Sequence, residues 1–141
     1  MIGSHFIICA CLLAAGEPAK DRAAIQKLID DQAAAWNKGD LKGFMAGYWK
    51  SDKLSFFSGN KKTTGWDATF ERYRKTYQAE GKEMGKLTFD ELSIELLSGD
   101  HAVVRGRFRL ELSKESPTGI FTLIVRKLPE GWRIVHDHTS S

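Results

Sequence analysis

Apolar positions recur every three to four residues through the first half of the chain and every two residues through the second. Ile25, Leu28, Ile29, Gln32 and Trp36 fall on one helical stripe, with Asp30 and Asp31 on other faces. Lys38-Gly39 supplies a stop, and Asp40 a carboxylate that can cap the next helix. That second helix is expected to carry Leu41, Phe44, Met45, Tyr48 and Trp49 along one stripe. Residues 54–57 read as a short strand, Gly59-Asn60 as a turn and 61–64 as the returning strand. A third helix follows Gly65, with Trp66, Phe70, Tyr73 and Tyr77 close to one face. From Gly85 the period shifts toward two, and 87–97, 102–112, 120–128 and 132–138 are strand candidates. Turn chemistry separates them: Ser98-Gly99-Asp100, residues 114–119 and Pro129-Glu130-Gly131. Connections this short join neighbours, so the four strands form an antiparallel meander. Three helices leading into one antiparallel sheet define an α+β domain, without internal repeat or linker.

The extreme N-terminus stands apart from this pattern. Residues 6–15 are an apolar run too short to cross a bilayer, ending in Ala14-Ala15-Gly16 before polar Glu17-Pro18. Small residues there match what a signal peptidase reads, so 1–16 is expected to be a secretory signal, with a secreted or periplasmic domain at 17–141. A buried first strand is the alternative, as is a lipoprotein anchored through Cys11. Both cysteines, Cys9 and Cys11, lie in this segment, so cleavage would leave a domain without bridges or thiolate chemistry. Composition adds exclusions. At 141 residues, 42% hydrophobic, with 13 Gly and 3 Pro, the chain is neither fibrous nor of low complexity. Its 21 Lys and Arg against 18 Asp and Glu are dispersed, so no surface that tracks nucleic-acid phosphates is expected.

Two strands carry candidate chemistry. His136 and His138 are two apart, so strand alternation puts both on one face, together with Trp132 and Ile134. Arg133, Val135, Asp137 and Thr139 then share the other. Such a pair suits hydrogen bonding within the sheet, acid–base work beside Asp137, or metal binding. A metal needs a third ligand that no His/Glu cluster supplies, and none is expected. Arg105, Arg107 and Arg109 alternate against Val104, Gly106, Phe108 and Leu110, which reads either as a solvated face or as a cationic mouth for a carboxylate. The rings of Trp36, Tyr48, Trp49, Phe56, Trp66 and Tyr73 serve equally as core or as walls of a small-molecule pocket. There is no nucleophile elbow, phosphate-cradling loop or dinucleotide fingerprint, so no cofactor is expected.

Trp36-Asn37-Lys38-Gly39-Asp40-Leu41 with Tyr48 downstream resembles the helix junction of the SnoaL-like branch of the nuclear transport factor 2-like superfamily. Gly65-Trp66-Asp67 is similar to the start of that family's third helix. Residues 131–140, Gly-Trp-Arg-Ile-Val-His-Asp-His-Thr-Ser, resemble its last strand, including that of the calcium/calmodulin-dependent kinase association domain. The likeness spans 21–140. It implies helices packed in the concave face of a curved, mostly antiparallel sheet, a conical cavity and a homodimer. Members range over isomerases, dehydratases, cyclases, binding domains and assembly modules, so fold alone does not choose. The resemblance also implies that carboxylates, histidines or tyrosines would carry any catalysis: Tyr48, Asp52, His136, Asp137 and His138 are the candidates. Two departures weaken a carboxylate ligand, because Thr139 and Leu123 stand where the association domain has arginines. The leading expectation is a binding domain for a small hydrophobic or mixed-polarity molecule. A cofactor-free isomerase, dehydratase or cyclase in the same pocket is the second, and a dimerisation module with a filled cone the third.

Overall fold

Helix α1 (Glu17–Asn37) places Ile25, Ile29, Gln32 and Trp36 on one buried stripe, as its periodicity requires. The computed structural model describes residues 17–141, and the expected signal at 1–16 lies outside the described residues. After a turn at Gly39, the Asp40 carboxylate accepts from Gly43 N at 2.8 Å and caps α2 (Leu41–Met45). β1 (Ser55–Ser58) and β2 (Lys61–Thr64) form a tight hairpin, followed by α3 (Trp66–Tyr77). Then come the four long strands β3 (Lys86–Leu96), β4 (His101–Glu111), β5 (Thr118–Leu128) and β6 (Gly131–Ser140). The sheet order is β2-β1-β6-β5-β4-β3, antiparallel except for β1 beside β6. Among the described residues, no helix is long and apolar enough to cross a membrane.

The helices lie N-terminal and the sheet is open and six-stranded, an α+β cone as anticipated. Hydrogen bonds fix the helix layer on the sheet. Trp36 Nε1 donates to Met84 O at 2.8 Å, while the Asn37 side chain accepts from Leu87 N and donates to Leu87 O. At the other end of α1, Asp21 Oδ1 accepts from Trp132 Nε1 (3.1 Å) and from Lys127 Nζ (3.0 Å), tying the helix to the β5–β6 hairpin. Between these anchors, each buried Ile, Leu or Phe contributes roughly 1.5–3 kcal/mol by leaving water.

Two bulges bend the sheet. In β3, Glu91 and Leu92 together oppose Gly106, and Glu91 adopts φ +53°. The apolar side chains accordingly change phase, from Leu87 and Phe89 before the bulge to Leu92, Ile94 and Leu96 after it. Gly106 is required at the bend: a Cβ there would lie 2.5 Å from Phe121 Cζ and 2.9 Å from Leu92 Cδ2. In β6, Ile124 pairs with His136 but Val125 pairs with Ile134, leaving Val135 as the extra residue.

That second bulge corrects the expected alternation of the last strand. Trp132 and Ile134 are buried; past Val135 it is Asp137 that is buried, while His138 is exposed. His136 and His138 therefore do not share a face with Trp132 and Ile134. The second helix is also shorter than its stripe. It ends at Met45, and Tyr48, placed by periodicity on a helix, instead makes a parallel bridge to Ile134.

Candidate functional site

Tyr48 enters the interior because backbone bonds on both sides hold it there. Ile134 N donates to Gly47 O (2.9 Å) and Trp49 N donates to Ile134 O (2.8 Å), so residues 47–49 run alongside β6. The Tyr48 hydroxyl then donates to Asp137 Oδ2 at 2.7 Å, and Thr139 Oγ1 donates to Asp137 Oδ1 at 2.7 Å. Both carboxylate oxygens are thus held, each with a lone pair to spare. Beside this group opens a cavity of about 200 Å³, walled by Trp36, Phe44, Phe56, Tyr73 and Phe121 with Asp137 and Gln32 as its polar members deep in the fold. Half-buried Ser58, Pro117 and Thr139 and exposed Ser141 mark where it opens.

The rings brace one another. Phe56 and Tyr73 stack at 5.3 Å, and Trp36 meets Phe44 edge-on at 4.9 Å and Tyr77 edge-on at 4.9 Å. Phe44 and Tyr48 are 5.7 Å apart. Such pairs add about 0.5–1.5 kcal/mol each beyond their buried area and fix the shape of the wall.

The electrostatics follow from burial. Removal from water pushes the Asp137 carboxyl from its ordinary 3.8 up to about 6, although the Thr139 and Tyr48 bonds and the charges of His138 and Arg72 pull it down. Burial, then the neighbouring Asp137 charge, raises the Tyr48 phenol well above its usual range. Tyr73 is raised for the same two reasons. These phenols stay protonated at any physiological pH, so they donate or accept hydrogen bonds and do not act as bases.

Of the residues singled out in the sequence, Trp36, Tyr48, Phe56, Tyr73 and Asp137 meet at this cavity. Trp49 and Trp66 do not line it. Trp66 caps the helix layer, donating to Met45 O at 2.9 Å with Lys50 Nζ 3.3 Å above its ring. His136 and His138 lie on the opposite face of the sheet from Asp137, with Phe57 edge-on to both. His136 Nδ1 shares a hydrogen bond of 2.6 Å with Ser55 Oγ, and burial, then the His138 charge, lowers its pKa. Arg105 and Arg107 are on that outer face too, paired with Glu95 at 2.9 Å and Glu91 at 3.3 Å, and neither reaches the cavity. Thr139, Gln32 and Phe44 are cavity residues that the sequence did not single out as site residues. Only the two-residue spacing of Thr139 from Asp137 carried a signal. Among the described residues, no group of three His, Cys, Asp or Glu is placed to hold a metal.

Comparison with known proteins agrees with the architecture. The model of the SnoaL-like domain matches residues 25–141, and the chain belongs to that family. An NTF-2-like protein of unknown function from Shewanella oneidensis is 40% identical, with 88% of this chain and 99% of that one covered and a TM-score of 0.79. An NTF2-like superfamily protein from Salmonella enterica is 23% identical over 88% of this chain and 92% of that one, TM-score 0.72. A ketosteroid isomerase-like protein from Erwinia carotovora atroseptica is 20% identical over 84% and 93%, TM-score 0.63. The last two speak to the fold alone. No curated protein matches the chain.

The raised Asp137 pKa makes a signed prediction about stability. A group whose folded pKa exceeds its unfolded value stabilises fully below the unfolded value, near 3.8, and loses that contribution as pH rises through 6. A displacement of two units corresponds to about 3 kcal/mol. Asp137→Asn should abolish this decline, so urea unfolding from pH 4 to 7.5 should show the variant gaining on the parent by about 2–3 kcal/mol. Parallel stability curves would show that the carboxyl is not desolvated.

Proposed function

We propose that the chain binds a small, largely apolar molecule in the aromatic cone, with a polar group of that molecule meeting Asp137 and Tyr48. The observation that carries this reading is a carboxyl buried to 4% exposure and aimed into a ring-walled cavity. Such a carboxyl costs stability that an Asn or Leu would not, and costs of this kind concentrate at functional sites. The volume sits below the roughly 300–1,000 Å³ of pockets for drug-sized ligands, which limits the occupant to a compact molecule. The assembly reading expects a filled cone, whereas this one holds a cavity of about 200 Å³.

The same carboxyl favours a second reading, cofactor-free proton transfer as in an isomerase or dehydratase. A base working near neutral pH is most effective with a pKa near 6 to 7, and burial brings Asp137 to about 6. In this reading Asp137, held by Tyr48, takes a proton from a carbon acid while the Tyr73 hydroxyl stabilises the developing oxyanion.

Ser58→Trp at the mouth tests the binding reading. Saturation-transfer NMR with p-cresol should show contact with the parent protein and lose it in the variant at unchanged melting temperature; no transfer to the parent would remove the proposal. The catalytic reading predicts deuterium exchange into a small ketone in D2O, rising with pH through about 6 and reduced at least 100-fold by Asp137→Asn. Equal exchange by parent and variant would eliminate it.

A further inference from the structure

The cavity has an unusual charge inventory. Among the described residues, nine aromatic rings line it, with one side-chain carboxyl and no Lys, Arg or His. The cations that could neutralise Asp137 are committed elsewhere. Arg105 and Arg107 pair with glutamates on the outer face. Arg72 donates to Thr63 Oγ1 at 3.0 Å and stands 4.7 Å from the Phe56 ring centroid, outside the cavity wall. His138 is exposed on the other side of β6. Asp137 thus has two neutral hydroxyl donors and, among the described residues, no ion-pair partner.

We propose that the ligand class for which this cone is built is a small organic cation, an amine whose ammonium group docks between the rings and against the Asp137 carboxylate. The inference rests on the binding reading above and names its ligand. Three physical arguments converge on it. An ammonium carries the charge that the carboxylate lacks, and charge-assisted hydrogen bonds to carboxylates are about twice as strong as neutral ones. Its N–H groups can use the lone pairs that Thr139 and Tyr48 leave free. The ring faces of Trp, Tyr and Phe attract cations, by up to about 2 kcal/mol when water is excluded. An anionic ligand meets the reverse: a carboxylate in the wall, electron-rich ring faces and no cationic donor. A neutral ligand is accepted by the rings but leaves the buried charge unpaired.

The groups facing the carboxyl also set the pH behaviour. They are Tyr48 from the segment after α2, Tyr73 and the more distant Arg72 from α3, and Thr139 from β6, while His138 acts on it only by its charge from the other face of the strand; β5 presents Leu123 and β1 presents Phe56. Amine binding should therefore strengthen as the pH rises and Asp137 ionises.

Benzylamine, benzyl alcohol and benzoate share one skeleton and differ in charge, so their affinities at pH 7.5, measured by ligand-observed NMR, decide the question. The expected order is benzylamine tightest, by at least tenfold over the alcohol, with benzoate weakest. Asp137→Asn should bring the amine down to the level of the alcohol. With the unaltered chain, the amine preference should fade between pH 7.5 and 5, where benzylamine stays protonated, and this arm stands even if the variant fails to fold. If the alcohol binds as well as the amine, or benzoate binds best, the cation inference is overturned while the binding reading survives. If none of the three binds, the binding reading fails and takes this inference with it.

Discussion

The 2.7 Å hydrogen bond from Tyr48 to Asp137 joins the two parts of the fold that make the cone. One end belongs to the segment that leaves α2 and lies along β6 at Ile134. The other belongs to β6 itself, three residues later, where its neighbour has become β1. The bulge at Val135 falls at this change of partner. With the strand in unbroken alternation, Asp137 would face outward and a histidine would take its place inside. One extra residue thus decides that the interior holds a carboxyl, and the Tyr48 bond makes that burial tolerable. An unpartnered carboxylate at this depth would cost several kcal/mol or refuse to ionise.

The rest of the architecture supports that placement at a distance. The bulge at Glu91 and the absence of a Cβ at Gly106 curl β3 and β4 around the helices, and Phe121 occupies the space so made. Mutual packing of Trp36, Phe44, Phe56 and Tyr73 keeps the wall from collapsing into the void. Stability comes from this apolar shell and the anchors of α1 at Asp21 and Asn37, while the polar end of the cone draws on it. A desolvated carboxyl beside an open cavity is the feature on which the proposed binding role rests, and the absence of Lys, Arg and His from that wall among the described residues is what the proposed cationic ligand rests on.

Much of this was legible along the chain. The α1 stripe, the Asp40 cap, the Gly59-Asn60 hairpin and the four-strand meander all follow from local chemistry, because each rests on spacing or on a turn residue. The cone itself follows only from resemblance, in the junction at 36–41 and the terminal strand. What stayed hidden has a common cause. Periodicity reports which positions alternate but is silent where a strand gains a residue between two apolar neighbours, as at Ile134-Val135. The phase change in β3 was visible in principle, since Leu87 and Phe89 give way to Leu92, Ile94 and Leu96. Tyr48 continues the α2 stripe numerically although the helix has ended, because the Gly47 backbone prefers to pair with β6. Ring type alone could not separate Trp36, which walls the cavity, from Trp66, which covers the helix layer.

The account turns on one group, and NMR can observe that group alone. The side-chain carboxyl carbon of Asp137, followed by 13C chemical shift from pH 3 to 9 and assigned by its loss in Asp137→Asn, should titrate with a midpoint near 6. A midpoint at or below the ordinary 3.8 would mean that the carboxyl is hydrated or ion-paired, and would contradict the desolvated site without an ion pair on which the functional readings rest.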